Sequence, residues 1–462
     1  MDFPEEPRSN LSIIWQVLMN KELTKGNVQK TMLIFAGPMI LGNLLQQGYN
    51  IADTLIVGRF IGAGALASVG AAYTLMTFLT SVLIGLCMGS GSVIAFYFGK
   101  KDEAHMKNAV TASFLFIGTV SVILNVLAFA GIDKILKLLR IPKELNGMMK
   151  EYVWMIFWGI FFVFLYNYFA FALRAIGNSA IPLFFLAVSA VVNILLDYIF
   201  IVSFHRGIAG AAEATVIAQI LSGVGIGIYT WMKEPMLRLK KEDFSGVKRA
   251  MPEVVRFSAA ASVQQSVMNF GILMIQGLVN SFGTNVMAAF AVAVKIDSFA
   301  YMPAQEFANA FSIFISQNFG AGKKDRVKAG IRSAVKTSVI FCLSVSVIIF
   351  IFAPQLMKIF VDVAEVEIIN IGTGYLHVEG SFYLGIGILF LLYGYYRAIG
   401  KPEMSVVLTV ISLGTRVLLA YVLAPIPQIG VWGIWWAIPI GWFLADMTGL
   451  LYLKKVKINT EV

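Results

Sequence analysis

Long apolar runs separated by short polar segments recur along the whole chain. Uninterrupted stretches without Asp, Glu, Lys or Arg cover residues 60–99, 108–132, 152–173, 175–196, 257–294, 337–357 and 417–445. About 20 apolar residues suffice for a helix to cross a bilayer, so each of these stretches is long enough. Dividing the chain at Gly, Pro and charged turns predicts twelve helical spans, numbered in order, near 31–56, 66–98, 107–132, 150–176, 179–203, 208–232, 253–282, 286–317, 328–352, 371–399, 403–424 and 430–453.

The composition agrees with this pattern. Apolar residues make up 58% of the chain and charged residues only 13%, whereas a soluble domain carries about 25% charged residues. So few charges cannot cover a water-exposed surface. We therefore predict an all-α integral membrane protein that crosses the lipid bilayer many times, and nothing in the chain suggests nucleic-acid binding.

Basic residues are concentrated at the ends of the chain and in alternate loops. They are Arg8, Lys21, Lys25 and Lys30; Lys100, Lys101 and Lys107; Lys233, Arg238, Lys240, Lys241, Lys248 and Arg249; Lys323, Lys324, Arg326 and Lys328; and Lys454, Lys455 and Lys457. With an even number of spans, all of these lie on one side of the membrane. The positive-inside rule then places both termini in the cytoplasm, in a cell inner (cytoplasmic) membrane.

Three short motifs occur twice at one spacing. Residues 99–102 (GKKD) recur at 322–325, residues 174–177 (RAIG) at 397–400, and the Gly-x-x-Gly of 207–210 at 430–433. The number of residues from 99 to 322 equals that from 174 to 397 and that from 207 to 430. We call this common sequence separation the repeat offset. The chain therefore contains an internal repeat.

Each repeat holds six spans, so both halves enter the membrane from the same side. Parallel repeats of this kind are related by a pseudo-two-fold axis along the membrane normal. We expect a cytoplasmic N-terminal segment 1–30, a six-helix lobe 31–232, a cytoplasmic linker 233–252 and a second six-helix lobe 253–462. A cleft between two such lobes is typical of carriers that rock between outward and inward states, although scaffolds and channels can also be duplicated.

Two carboxylates lie well inside spans of the first half. Asp53 is in span 1, and Asp197 follows Asn193 by one helical turn in span 5, so Asn193 and Asp197 share a helix face. An ionised group at the bilayer centre costs about 2.5–3.5 kcal/mol on insertion scales. Carboxylate and amide oxygens together suit either a proton or a hard cation such as Na⁺.

The repeat provides an internal comparison for these groups. One repeat offset later, Asp53 corresponds to Gln276, Asn193 to Arg416, Asp197 to Ala420 and Thr215 to Ile438. The second half keeps the scaffold but lacks acids at these positions. We therefore place the coupling-ion site in the first half; the alternative is that both acids only bond helix ends near the membrane surface.

Together, several motifs resemble the multidrug and toxic compound extrusion (MATE) family over nearly the whole chain. They are Pro38 in span 1, the run 53–59 (DTLIVGR), the RAIG turn at 174–177, Asn193-x-x-x-Asp197, and residues 207–215 (GIAGAAEAT). The likeness is greatest to bacterial and archaeal members whose first lobe carries the cation site. It implies an H⁺- or Na⁺-coupled antiporter that exports organic cationic or amphiphilic compounds.

The resemblance also implies the residues of the ion site. By position, the family's coupling residues correspond to Asp53, Asn167, Asn193, Asp197 and Thr215, and the family adds a backbone carbonyl near Ala211. Pro38 corresponds to the proline at which span 1 bends. Independently of the family, a proline inside a helix removes one backbone hydrogen bond and kinks the helix.

The chain departs from the family pattern in its second half. Some members carry an acid in span 7 and another in span 10, but span 7 here offers amides. We see no acid deep in span 10, because Glu379, like Asp446, is near a helix end by the predicted boundaries. We therefore do not expect a second-lobe cation site, and Glu306 in span 8 is the nearest candidate.

The remaining charged residues inside spans have open roles. Lys295, Asp297 and Glu306 in span 8 form a charged group that either binds substrate or steadies the helix bundle. Arg416 replaces Asn193 in the repeat, and we favour a structural role for it. Glu213 lies near the start of span 6, where a helix-cap role is expected.

Polar and aromatic side chains along several spans are candidates for the cleft wall. They are Gln46, Tyr49, Asn50, Tyr166, Gln264, Gln265, Asn269 and Glu306. Aromatic surfaces with few fixed hydrogen-bond partners favour loose recognition of flat cations.

Two rival functions remain to be tested. A lipid-linked oligosaccharide flippase of the same superfamily is the nearest alternative, but it would need more buried basic residues for pyrophosphate. An intramembrane enzyme would need a catalytic motif, and we recognise none. We expect a monomeric transporter with no cofactor other than its coupling ion, H⁺ or Na⁺.

Overall fold

The computed structural model describes residues 22–138 and 143–455, and every regular element within these ranges is helical. The helices are α1 (Val28–Phe60), α2 (Ala63–Lys100), α3 (Glu103–Leu138), α4 (Lys143–Phe157), α5 (Ile160–Ala175), α6 (Ala180–Asp197), α7 (Gly207–Lys233), α8 (Val247–Asn280), α9 (Thr284–Gly320), α10 (Lys324–Lys358), α11 (Val366–Ser381), α12 (Tyr383–Ala398), α13 (Pro402–Leu423) and α14 (Val431–Lys455). The all-α fold is confirmed. Residues 1–21 of the predicted N-terminal segment, with Arg8 and Lys21, lie outside the described residues, as does Lys457.

Nine of the described helices are long and apolar enough to cross a membrane, and two bent helix pairs raise the number to eleven. The predicted span near 253–282 is present as α8. Its glutamines and asparagines, among them Gln264, Gln265 and Asn269, lower its hydropathy. The twelve predicted spans therefore all have helical counterparts among the described residues.

Spans 4 and 10 are each broken into two helices. The bend is 44° between α4 and α5 and 51° between α11 and α12. The broken spans begin at 143 and 366, and their second helices at 160 and 383, so both pairs of starts are separated by the repeat offset. The expectation of one continuous helix at each place was wrong, since apolar periodicity does not reveal a bend between two apolar segments.

The two halves pack most closely where α2 ends at Lys100 and α9 ends at Gly320, three residues before Lys323. A Cβ atom added to Gly89 would lie 2.3 Å from the Phe257 carbonyl oxygen, and one added to Gly99 would lie 1.9 Å from that of Gln317. Only glycine permits backbones to approach this closely. The halves are therefore closed against each other at the basic end.

Several side chains away from the basic end are more accessible. Gln46 on α1 is exposed, and Tyr73 on α2 and Phe270 on α8 are 51% and 56% exposed. Among the described helices, the close backbone contacts between the halves thus lie toward the basic end.

Candidate functional site

Asp53 on α1 and Asp197 at the end of α6 lie next to each other, close enough for the two carboxyl groups to interact directly. Asp197 is fully buried and Asp53 is half-buried. One oxygen of Asp53 and both of Asp197 are buried without a hydrogen-bond partner among the described residues. Buried charges of like sign without partners are strongly unfavourable, so this pair calls for a proton or a cation.

Neutral oxygen donors lie one helical turn from Asp197 and on the neighbouring helix α7. Asn193 is 3% exposed, and its Nδ2 donates to Thr215 Oγ1 at 3.4 Å. Thr215 in turn donates to the Ala211 carbonyl at 3.0 Å. The structure thus connects three of the residues that the resemblance implied, with Asn193 and Asp197 both on the buried face of α6.

The backbone widens directly after Asp197. Residues Tyr198–Ser203 form a π-helix, in which each hydrogen bond spans one residue more than in an α-helix, and such segments are frequent at functional sites. No sequence pattern predicted it. The change of backbone geometry ends α6 at the carboxylate itself.

Asn167 on α5 is tied to its own helix. Its Nδ2 donates to the Val163 carbonyl at 2.8 Å, and within the described ranges no hydrogen bond joins it to Asp53 or Asp197. Its predicted role at the ion site stays a prediction.

Tyr152 on α4 is a neighbour of the acid pair that sequence reasoning missed. It is 7% exposed, and the charges of both Asp53 and Asp197 act on its hydroxyl group. The repeat held a signal for it, because the residue one repeat offset later is also a tyrosine, Tyr375. Tyr49 on α1 is a further neighbour of Asp53.

A small pocket with a cavity volume of about 10 Å³ lies where α8, α9 and α12 of the second half meet Met88 of the first half. It is lined by Met88, Gln264, Gln265, Gln305, Ala308, Asn309, Phe390, Tyr393 and Arg397. Two of the predicted cleft residues, Gln264 and Gln265, therefore line the pocket.

Glu306 on α9 lies near arginines from both halves, Arg174 on α5 and Arg397 on α12. These arginines occupy the same position of the repeat, in the RAIG turns at 174–177 and 397–400. Arg397 is 2% exposed and donates from Nη2 to Asn309 Oδ1 at 3.2 Å, while Asn309 donates to Glu306 Oε1 at 3.4 Å. Glu306 is thus a compensated charge at the junction of the halves.

The other cleft candidates are spread along the helices. Gln46 is exposed, while Tyr49, Asn50 and Asn269 are half-buried. Tyr166 donates to the Pro182 carbonyl at 3.0 Å, which ties it to α6. Pro38 is buried within α1.

The comparisons with known proteins agree with this architecture. The sequence model of the MatE family matches residues 38–199 and 260–422, one stretch in each half. The chain belongs to the MatE family. The probable multidrug resistance protein YpnP of Bacillus subtilis (strain 168) is 29% identical over 396 residues, which cover 85% of this chain and 87% of that protein.

Two further MatE-family likenesses cover more of the chain. The probable multidrug resistance protein YoeA of the same strain is 28% identical over 430 residues, or 91% of this chain and 92% of that protein. A solved structure described as the outward-facing conformation of a multidrug resistance MATE family transporter of the MOP superfamily superposes with a TM-score of 0.89 at 23% identity, covering 96% of this chain and 98% of that one. The fold is therefore that of MatE-family transporters.

The second half of this MatE chain contains buried acids, which corrects the sequence interpretation. Asp297 on α9 and Glu379 on α11 are each 3% exposed and interact with each other and with Arg416 on α13. Glu379 lies at the bend between α11 and α12, so the end of its helix is inside the bundle rather than in solvent. Lys295, by contrast, is exposed and does not belong to this cluster.

At the positions equivalent to Asp53 and Asp197 the second half has Gln276 and Ala420, so the repeat carries no signal for its acids. The second half places its acids at other positions. Asp446 on α14 is also buried, at 8% exposure, so its position near a helix end does not leave it solvated.

Glu213 does not cap α7. Its Oε1 accepts from Arg206 Nη2 at 2.7 Å, and Arg206 is the residue that precedes the helix. The expected helix-cap role is replaced by an ion pair near the helix start.

Proposed function

We propose that this chain is an H⁺- or Na⁺-coupled antiporter that exports organic cationic or amphiphilic compounds. The names of its relatives as multidrug resistance proteins support multidrug efflux. The coupling proposal rests on the adjacent pair Asp53 and Asp197, three of whose carboxylate oxygens are buried and lack partners among the described residues.

The donor set fits a small hard cation or a proton. The carboxylates supply negative charge, and Asn193, Thr215 and the Ala211 carbonyl supply neutral oxygens of the kind that alkali cations accept. Binding of either ion neutralises the pair and removes the cost of an uncompensated buried charge. Without an ion the two carboxylates repel each other, and with a bound ion they do not. We therefore expect the ion-bound and ion-free states to differ in how α1 and α6 are arranged.

Alternating access connects this site to cargo. Ion uptake from outside changes the bend of α1 near Pro38, loosens the bound compound, and is followed by rocking of the two halves and release of the ion inside. At about 100 mV each inward elementary charge contributes about 2.3 kcal/mol. We propose a monomer in the cell inner membrane with both termini in the cytoplasm, so that the closed basic end faces inward.

Efflux from vesicles tests the coupling. Purified protein in liposomes loaded with ethidium is given an inward pH gradient or an inward Na⁺ gradient, each applied separately. We expect at least one gradient to drive efflux, and Asp53→Asn to reduce the driven component to the background of empty liposomes. The matched control is Asp133→Asn, the same substitution at an acid whose side chain is 76% exposed.

If Asp53→Asn retains gradient-driven efflux at the level of Asp133→Asn, the coupling role of the first-half pair is wrong. If neither gradient speeds ethidium efflux above its rate without a gradient, the antiport proposal itself is wrong.

A lipid-linked oligosaccharide flippase is the second candidate, favoured by the two arginines beside Glu306. Arg174, Arg397 and Glu306 together carry one net positive charge, and a pyrophosphate group binds guanidinium groups well. Transport of a fluorescent lipid-linked oligosaccharide, together with failure of ethidium efflux, would favour this candidate over the antiporter.

A further inference from the structure

The segment that precedes α1 is held by residues of the second half. Residues 22–27, here named the N-terminal strap, form a turn in which Lys25 N donates to the Glu22 carbonyl at 3.1 Å. Gly26 has a φ of +75°, which L-residues rarely adopt. Leu23 is fully buried and Thr24 is 6% exposed, so the strap is packed into the molecule.

Arg326 at the start of α10 binds three carbonyls of the strap. Its Nη1 donates to the Gly26 carbonyl at 2.5 Å, and its Nη2 donates to those of Lys25 at 2.5 Å and Leu23 at 3.0 Å. Its Nε donates to the Leu23 carbonyl at 3.2 Å. Because a guanidinium carries its donors in a rigid planar fork, one turn of backbone satisfies most of them.

Two neighbours of Arg326 reinforce this contact. Lys323 Nζ donates to the Thr24 carbonyl at 2.8 Å, and Asn318 Nδ2 on α9 donates to the Leu23 carbonyl at 3.2 Å. The backbone carbonyls of strap residues 23–26 thus all accept hydrogen bonds from charged or amide side chains of the second half.

The repeat does not account for this arrangement. One repeat offset before Asn318, Lys323 and Arg326, the first half holds Ala95, Lys100 and Glu103. An acid takes the place of Arg326 in the first half, and Glu103 pairs with Lys107 at 2.6 Å. Among the described residues, the Arg326 hydrogen bonds to the strap therefore have no counterpart at Glu103.

We propose that Arg326 is a gating residue, which holds the basic end of the cleft closed by binding the N-terminal strap. The strap continues into α1 of the first half, whereas Arg326, Lys323 and Asn318 belong to the second. Opening at this end separates the halves and breaks these bonds, together with the single hydrogen bonds from Tyr97 to Glu253 and from Gln317 to the Ala175 carbonyl. This inference rests on the proposed alternating access.

Distance measurements between spin labels test the gate without transport. Labels are attached at Lys101→Cys and Lys328→Cys, two exposed positions at the basic end, in a chain with Cys87→Ala and Cys342→Ala. We expect Arg326→Gln to raise the ratio of long to short distances about tenfold or more, since hydrogen bonds to charged groups are individually strong. Gly26→Ala, which strains the strap but keeps every charge, should shift the ratio in the same direction.

The matched control is Arg332→Gln, which removes an exposed arginine from the same helix. Unchanged distances in both Arg326→Gln and Gly26→Ala, or an equal shift in Arg332→Gln, would overturn the gate. If Arg326→Gln does not fold, Lys323→Gln takes its place beside Gly26→Ala. Unchanged distances in both of these single variants would then overturn the gate. Because no ion gradient or cargo is used, failure of Asp53 as coupling residue leaves this result unaffected.

Discussion

At the scale of single residues, the first-half site is defined by oxygens in a buried environment. Asp53 and Asp197 supply the charge, while Asn193 and Thr215 connect α6 to α7 through a 3.4 Å hydrogen bond. Asp53, Asn193 and Asp197 could be proposed from the sequence because polar groups inside apolar spans are conspicuous, whereas Thr215 was implied by the resemblance to the MATE family. Tyr152 is less conspicuous, because a tyrosine in an apolar helix is common, and its only signal was the tyrosine at the equivalent repeat position, Tyr375.

Removal of the Thr215 hydroxyl tests whether it belongs to the ion site. Thr215→Val keeps the shape of the side chain but removes an oxygen that accepts from Asn193 and donates to Ala211. We expect the ion concentration for half-maximal ethidium efflux to rise about fivefold, which corresponds to one hydrogen bond of about 1 kcal/mol. The control is Thr230→Val on the same helix, where Thr230 makes the same kind of bond to Ile226 at 2.7 Å; equal effects in both variants would count against a role of Thr215 in ion binding.

At the scale of elements, departures from regular helix cluster near the polar groups. The π-helix Tyr198–Ser203 begins directly after Asp197, and the bend between α11 and α12 follows Glu379. Pro38 interrupts the hydrogen bonding of α1, which also carries Asp53. At these sites the regular helix hydrogen bonds are already absent or shifted, and the freed backbone groups have to find other partners inside the membrane. We therefore expect a helix to change its arrangement there at low cost.

Restoring the hydrogen bond at Pro38 tests whether α1 must bend. In Pro38→Ala the new N–H can donate to the Ile34 carbonyl, which stiffens α1. We expect ethidium efflux to slow about tenfold, equivalent to about 1.4 kcal/mol in the barrier, with the half-maximal ion concentration nearly unchanged. Pro354→Ala near the end of α10 is the control, and a normal efflux rate in Pro38→Ala would show that bending of α1 does not limit transport.

At the scale of the whole molecule, close glycine contacts and the strap act at the same end. Gly85 and Gly89 of α2 meet the backbone of α8, and Gln317 Nε2 donates to the Ala175 carbonyl at 2.7 Å. Tyr97 on α2 donates to Glu253 on α8 at 2.7 Å. The basic end is thus held by both backbone packing and directional bonds.

A single methyl group should disturb this seal. In Gly89→Ala the new Cβ would lie 2.3 Å from the Phe257 carbonyl oxygen, so the halves cannot approach as closely. We expect the long-distance population of the spin-label pair to increase about tenfold and efflux to fall, because overpacking costs typically about 1–3 kcal/mol.

Gly70→Ala is the matched control for this change. It lies on the same helix and has no atom within 4 Å of the added Cβ, while both substitutions favour the helix equally. A Gly89→Ala chain with the distances of Gly70→Ala would show that this contact does not set the closed state.

The sequence by itself determined the membrane class, the helix order and the internal repeat. These follow from hydropathy and from motifs at one fixed spacing, which act locally along the chain. The tertiary structure alone decided that Glu379 is buried beside Asp297 and Arg416, that Glu306 is compensated by Arg174 and Arg397, and that Arg326 holds the strap. The reason is physical: whether a charge near a helix end is solvated, paired or bound to backbone depends on helices that are far away in sequence.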